Sequence, residues 1–167
     1  MLGRVEETVT HVEMTSPDDL CPAAPVPGVT LENVPADSPL IRPTTLRIGE
    51  RYHWPSTTWS EAEWAEYLAR PGRACVLIRY ATEVAGLADF QCYALGSVEI
   101  TTFGVVPEYV GKGIGGYALT LAVTEAWNLA PTVRRVWLHT STLDHPHALP
   151  NYQRRGFRTF RTTTGER

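Results

Sequence analysis

Four glycines in six positions, Gly111, Gly113, Gly115 and Gly116, stand between an apolar β-branched run and a helix-like run. The run Val98 to Val106 stops at Pro107, and Tyr117 to Trp127 follows the glycines. A strand that feeds a glycine-rich turn and then a helix N-terminus is suited to cradle an anion. The first-turn amides have no intrahelical partner, and glycine lets a ligand approach the main chain closely. The spacing therefore predicts a phosphate or pyrophosphate ligand. Lys112, between two of the glycines, either adds positive charge to that site or is a solvated loop lysine.

Three phosphate-binding loops compete for this stretch. The Walker loop requires a Ser or Thr after its lysine, and Lys112 is followed by Gly113. The dinucleotide fingerprint is matched literally by Gly111, Gly113 and Gly116, but it needs an acid about twenty positions on to hold a ribose. That position falls within Val136-Trp137-Leu138-His139, and no acid comes before Asp144. Roughly fifty residues remain, too few for a complete dinucleotide domain. The third loop is the pyrophosphate cradle of an acyl-coenzyme A site.

Residues 110–115, Val-Gly-Lys-Gly-Ile-Gly, resemble motif A of the GNAT superfamily of N-acetyltransferases, [Q/R]-x-x-G-x-[G/A], with Val110 in place of the Gln or Arg. A later stretch, Ala148-Leu-Pro-Asn-Tyr152-Gln-Arg-Arg-Gly156-Phe157, is similar to the superfamily's A-x-x-x-Y-x-x-x-G-F segment. The two motifs stand in the family's order, with a helix and a strand predicted between them. The resemblance is close over 90–167 and looser over 8–90. It implies an α/β fold in which a mixed, mostly antiparallel central sheet carries helices on both faces. It also implies acetyl-CoA as co-substrate, no metal, and a primary amine of a small molecule or peptide as acceptor, acetylated by direct attack on the thioester.

The same resemblance assigns residues. The pyrophosphate would lie on the backbone donors of Val110, Gly111, Lys112, Gly113, Ile114, Gly115 and Gly116. The pantetheine arm would pair with a strand edge where the preceding strand leaves its neighbour, at Phe103-Gly104-Val105-Val106. A mid-strand glycine is one signal of a bulge or a close backbone approach. An amide freed near Val105 would stabilise the thioester oxyanion. Tyr152 takes the place of the family tyrosine that protonates the departing thiolate. Many relatives also carry an Asn about six residues earlier, against the pantetheine. Here that position is Pro146, so Asp144 or His145 substitutes or the contact is absent.

Glu99 is the candidate general base, because an acid amid apolar strand residues is costly unless paired or functional. A paired structural carboxylate is the competing role. Plain alternation puts Glu99 on one face with Thr101, Phe103 and Val105. His139, which ends the run Val136 to His139, is a second candidate base or a hydrogen-bonded structural histidine. His145 and His147 flank Pro146, and two histidines alone are weak evidence for a metal. No cysteine lies in either motif, so a covalent acyl-enzyme is not indicated. Loss of Gln/Arg and Asn keeps a second reading open, a non-catalytic acyl-CoA-binding or regulatory domain.

The elements that must position these residues are legible in outline. Thr8 to Met14 alternates as a strand, and Ser16-Pro17-Asp18-Asp19 is a helix start. Residues 21–45 hold six of the thirteen prolines and read as irregular, with a short helix near 40–48. The irregular 21–58 segment is expected to build the acceptor pocket, with Glu50, His53 and Trp54 along it. Ser60 and Glu63 form a capping box for a helix over 59–68, and Trp59 can staple onto Trp64. Residues 75–80, 84–93 and 97–106 read as a three-stranded meander. Beyond the helix at 117–127 come a strand over 133–140, a helix over 145–155 and a strand over 157–163.

At 167 residues the chain is one domain that can bury a core without disulfides, with 1–7 expected to be flexible. The net charge of −3 argues against nucleic acid as a partner. No apolar run reaches the ~18–20 residues of a membrane span, and the first residues do not resemble a signal peptide. The three cysteines, Cys21, Cys75 and Cys92, are odd in number and scattered, which points to reduced thiols in a cytoplasm. The acceptor's identity and the choice between monomer and homodimer stay open.

Overall fold

The computed structural model describes residues 3–167. Of the lead expected to be flexible, residues 1–2 lie outside the described residues, and Glu6 and Glu7 already belong to the first strand. The strands are β1 (Glu6–Met14), β2 (Val29–Val34), β3 (Arg73–Tyr80), β4 (Glu83–Cys92), β5 (Ser97–Val105), β6 (Arg135–Ser141) and β7 (Arg158–Glu166). The helices are α1 (Ile41–Gly49), α2 (Glu61–Leu68), α3 (Gly115–Trp127) and α4 (Ala148–Arg154). The seven strands form one mixed sheet in the order β2-β3-β4-β5-β6-β1-β7. Every neighbouring pair is antiparallel except β5 with β6.

Helices cover both faces. The apolar side of α3, with Leu119, Ala122 and Val123, packs on Val98, Ile100, Val136 and Leu138, joined by Tyr152 of α4. On the other face Ile41 and Ile48 of α1 meet Leu77, Leu87 and Val106. The capping box at Ser60 and Glu63 forms as expected, and Trp59 meets Trp64 edge-on at 5.0 Å.

Two expectations are corrected. The helix start at Ser16 is a single 3-10 turn, Pro17–Asp19, in which Asp19 accepts from the amides of Thr15 and Ser16. Pro22, Pro25 and Pro27 then keep the chain from continuing as a helix. Val29–Val34, read as irregular, is a sheet-edge strand paired with β3. The stretch before it lies against α3, where Ala23 N–H donates to Thr120 Oγ1.

Candidate active site

The parallel pair β5–β6 is short. It matches Ser97 with Arg135, Val98 with Val136 and Glu99 with Trp137, and then the strands separate. Beyond Glu99 the sheet opens as a wedge, with β5 held by β4 on one side and β6 by β1 on the other. The expected parting of the strands is present, and it begins at Ile100.

The bulge is at Thr101 and not at Gly104. The β4–β5 register shifts between Asp89, opposite Thr102, and Phe90, opposite Ile100, leaving Thr101 unmatched. A buried polar knot adjoins it. Arg73 and Asp89, with side chains 1% exposed, pair at 2.6 Å, and Tyr67 donates to Asp89 at 2.7 Å. Thr101 Oγ1 donates to the Asp89 carbonyl at 3.1 Å. Burial pushes the Asp89 carboxyl up while the Arg73 guanidinium and Tyr67 hydroxyl pull it down, and burial with the Asp89 charge pushes the Tyr67 phenol up to about 12. Gly104 is a packing glycine: an added Cβ would meet Ile48 at 2.5 Å and Trp54 at 3.5 Å.

The bulge changes which face Glu99 takes. Val98 and Ile100, then Phe103 and Val105, all pack on the α3 side. Alternation therefore skips at Thr101, and Glu99 lies on the opposite face from Phe103 and Val105. There it is 8% exposed and accepts from the Tyr93 hydroxyl at 2.7 Å.

The open edge of β5 presents main-chain groups. Val106 N–H donates to Ala85 O at 2.7 Å, so Val105 opposite Gly86 is a non-hydrogen-bonded pair. The Val105 amide consequently points away from β4, into the wedge that β6 has left. By the same alternation Phe103, opposite Ala88, turns its amide to the wedge. Val106, expected among the coenzyme contacts, does not offer its backbone: its amide serves Ala85 and its carbonyl accepts from Tyr109 at 2.9 Å.

The glycine loop continues from this edge. Gly111 and Gly113 have φ of +77° and +78°, a region costly for other residues, and nothing lies within 4 Å of a Cβ built on either. Val110 N–H donates to Pro107 O and Lys112 N–H to Tyr109 O, so these two amides drop out of the expected donor set. Among the described residues, the amides of Gly111, Gly113, Ile114, Gly115, Gly116 and Tyr117 meet no protein acceptor. The first turn of α3 has no side-chain cap and no acid. Lys112 lines a groove of about 310 Å³ with Val26, Tyr80 and Tyr109 beside the loop. A groove of about 350 Å³ between Asp37 and Arg70 lies apart from all these residues.

Helix α4 closes the α3 side of the wedge. Tyr152 is 7% exposed and packs edge-on to Phe103 at 6.4 Å and Phe157 at 6.1 Å. Burial, with a lesser contribution from the Asp144 charge, pushes its phenol well above the ordinary tyrosine range. Asn151 donates to Gly115 O at 3.3 Å, which ties α4 to the loop. Arg155, unassigned from the sequence, brings its Nη1 to 3.7 Å from a Cβ built on Gly116, and its buried Nε has no hydrogen-bond partner among the described residues. The pair Arg154-Arg155 inside the second motif was the available signal.

Asp144 is placed differently from a free coenzyme contact. Its carboxylate already accepts from Trp54 Nε1 (3.1 Å), Thr140 Oγ1 (2.8 Å), Ser141 N–H (2.8 Å) and Arg167 Nη1 (3.3 Å). Four donors occupy the lone-pair sites of a carboxylate. His145 Nδ1 accepts from the His147 amide at 3.0 Å, a local turn contact. Among the described residues no cluster of His, Cys, Asp or Glu could hold a metal ion, and no helix is long and apolar enough to cross a membrane.

Residues 43–157 match the model of the acetyltransferase (GNAT) family. Similar folds include a GCN5-related N-acetyltransferase from Kribbella flavida, at 20% identity and TM-score 0.62, over 96% of this chain and 56% of that one. A second, from Sphaerobacter thermophilus, is 18% identical with TM-score 0.65, over 98% of this chain and 53% of that one. The chain thus spans little more than half the length of these two. An acetyltransferase from Bacillus subtilis, solved in complex with CoA, is 22% identical with TM-score 0.59, over 78% and 76% of the two chains. No curated protein shows a significant sequence match to the chain.

Proposed function

The chain belongs to the GNAT acetyltransferase family, and on that premise we propose that it transfers the acetyl group of acetyl-CoA to a primary amine of a small molecule or peptide by direct attack on the thioester. The observation that carries this is the wedge between β5 and β6, with the Val105 amide turned into it and the uncapped start of α3 beside it. The free amides of Gly111 and of Gly113 to Tyr117, with the N-terminal end of the α3 dipole, favour a pyrophosphate. The β5 edge at Phe103 and Val105 would pair with the pantetheine amides in the manner of an added strand. The Val105 N–H would meet the oxygen that gains charge during attack.

Two side chains would handle protons. Tyr152 stays protonated at neutral pH, which fits a donor to the departing thiolate. Glu99 lies at the vertex of the wedge on the opposite face and would take the proton that the acceptor nitrogen gives up. The acceptor would therefore approach from the Glu99 face, while the coenzyme phosphates rest on the α3 side. Three free cysteines fit a reducing cytoplasm.

Thiol release from acetyl-CoA with a broad amine panel, followed by mass spectrometry of the products, tests the reading. Amine-dependent thiol release with an added acetyl mass supports it. Coenzyme A binding without release for any amine would favour the non-catalytic acyl-CoA-binding reading.

A further inference from the structure

Glu99 has two carboxylate oxygens with different surroundings. Oε1 accepts from the Tyr93 hydroxyl at 2.7 Å, and Oε2 lies 3.9 Å from His139 Nε2. Glu99 and Trp137 are the last matched residues of β5 and β6, and His139 is the next residue of β6 on that face. The pair therefore spans the vertex of the wedge. The Glu99 side chain is 11% exposed and that of His139 is 46% exposed, so the contact runs from buried to open. The neighbours of His139 are His11 of β1, with ring centroids 5.4 Å apart, and Trp137, against which both His11 and Tyr93 stack.

We propose that His139 is the proton exit of the transfer reaction, taking from Glu99 the proton released by the acceptor amine and passing it to solvent on the open face of β6. The proposal rests on the acetyl-transfer reading above. From ammonium to amide the acceptor nitrogen loses two protons, while a C–N bond forms and the C–S bond breaks. One proton's worth ends on the coenzyme sulfur through Tyr152, and the other must leave the protein. A buried carboxylate has to be emptied before the next turnover. Tyr93, though half exposed, does not do this, because partial desolvation and its bond to Glu99 push its phenol up to about 12 and keep it a donor. His139 is the exposed titratable side chain next to the remaining oxygen, and 3.9 Å is within reach of a small side-chain rotation or one bridging water.

Among the described residues, the charged and titratable groups on this face include His11, Glu13 and Glu7 of β1, Arg135 of β6, Arg158 and Arg161 of β7, and Tyr93 before β5 with Arg70 near it. Glu13 is engaged with Arg135 at 2.9 Å. His11 is pushed below its ordinary range by burial, then by His139 and Arg161, so it stays neutral near pH 7 and places no charge against His139.

His139→Gln keeps a hydrogen-bonding side chain and removes the titration. In dilute sulfonate buffer kcat should fall about tenfold or more, with KM for acetyl-CoA unchanged. Added imidazole should restore kcat in proportion to its neutral form. An unchanged kcat, or a loss that imidazole does not repair in a folded variant, overturns the proposal. A second measurement needs no acceptor: the His139 ring-nitrogen resonances of the unliganded protein should shift in Glu99→Gln. Unshifted resonances mean that the two side chains do not communicate, and the proposal falls. Failure of the wild-type protein to release thiol with any amine would count against acetyl transfer instead, leaving the ring-nitrogen result to decide on the contact.

Discussion

The Trp54 indole donates to the Asp144 carboxylate at 3.1 Å, joining the segment after α1 to the loop after β6. Trp54 stacks against the faces of Gly49 and Gly104, where an added Cβ would meet its ring at 2.5 Å and 3.5 Å respectively. The indole thus lies over the part of β5 that flanks the wedge, and Asp144 fixes it there. Arg167 adds a second tie, reaching Asp144, Glu7 at 2.9 Å and the Tyr52 carbonyl at 2.7 Å.

Asp144→Ala should loosen this wall. The variant strands the Trp54, Thr140, Ser141 and Arg167 donors, and bonds to a charged group contribute about 1.5–3 kcal/mol each. A fall in Tm with a red shift of Trp emission is expected, and KM for the acceptor should rise more than KM for acetyl-CoA. A selective rise in KM for acetyl-CoA would restore Asp144 to the coenzyme site.

Gly113→Asp should abolish coenzyme A binding in calorimetry while the protein stays folded. The site beside Gly113 is open, so no protein atom opposes the side chain; the cost is a positive φ of about 1–2 kcal/mol and a negative charge at an anion site. Gly113→Ala separates the two effects and should weaken binding less. Unchanged affinity in a folded Gly113→Asp variant would remove the loop from the coenzyme site.

Tyr152→Phe should lower kcat by roughly 10²–10⁴-fold with little change in KM for acetyl-CoA. Because the Tyr152 phenol is raised far above its ordinary range, wild-type kcat should show no alkaline loss up to pH 10 from this group. Stability follows the same sign. A raised folded-state value favours the protonated phenol in the fold, so the contribution is complete below about pH 10 and is lost as pH rises beyond it. Tyr67 and Tyr93, raised to about 12, add to that alkaline unfolding.

Arg73→Met leaves the Asp89 charge buried without its partner, and breaking such a pair costs about 3–5 kcal/mol. Urea unfolding should register that loss. The double variant Arg73→Met, Asp89→Leu should recover most of it. Recovery of stability without recovery of kcat would mark the knot as the element that shapes the Thr101 bulge.

The parts of this molecule legible in the sequence are those set by local chemistry. Ser60 and Glu63 announce their capping box, the β-branched runs give the meander, and the glycines give the turn into α3. Long-range partners decide the rest. Val29–Val34 reads as irregular among prolines and becomes a strand because β3 offers an edge. The bulge at Thr101 carries no glycine, and the Asp89 carbonyl that its hydroxyl meets lies twelve residues away in the chain. The face of Glu99 follows from that bulge, so alternation alone assigns it wrongly. Asp144 stands beside the position of the family Asn, but its four donors come from three different parts of the chain.

The place of β1 bears on how the chain reaches its fold. Met14 pairs with Val136 and Glu6 with Glu166, so β1 waits for partners far along the chain. The β3–β4–β5 meander closes short loops and can form early, whereas β1 pays a large loop-closure entropy before its pairings reward it. The β6 edge stays unpaired on one side until β1 arrives, and an unpaired edge is a template for association with other chains. In the finished sheet β1 lies between β6 and β7 and removes that edge.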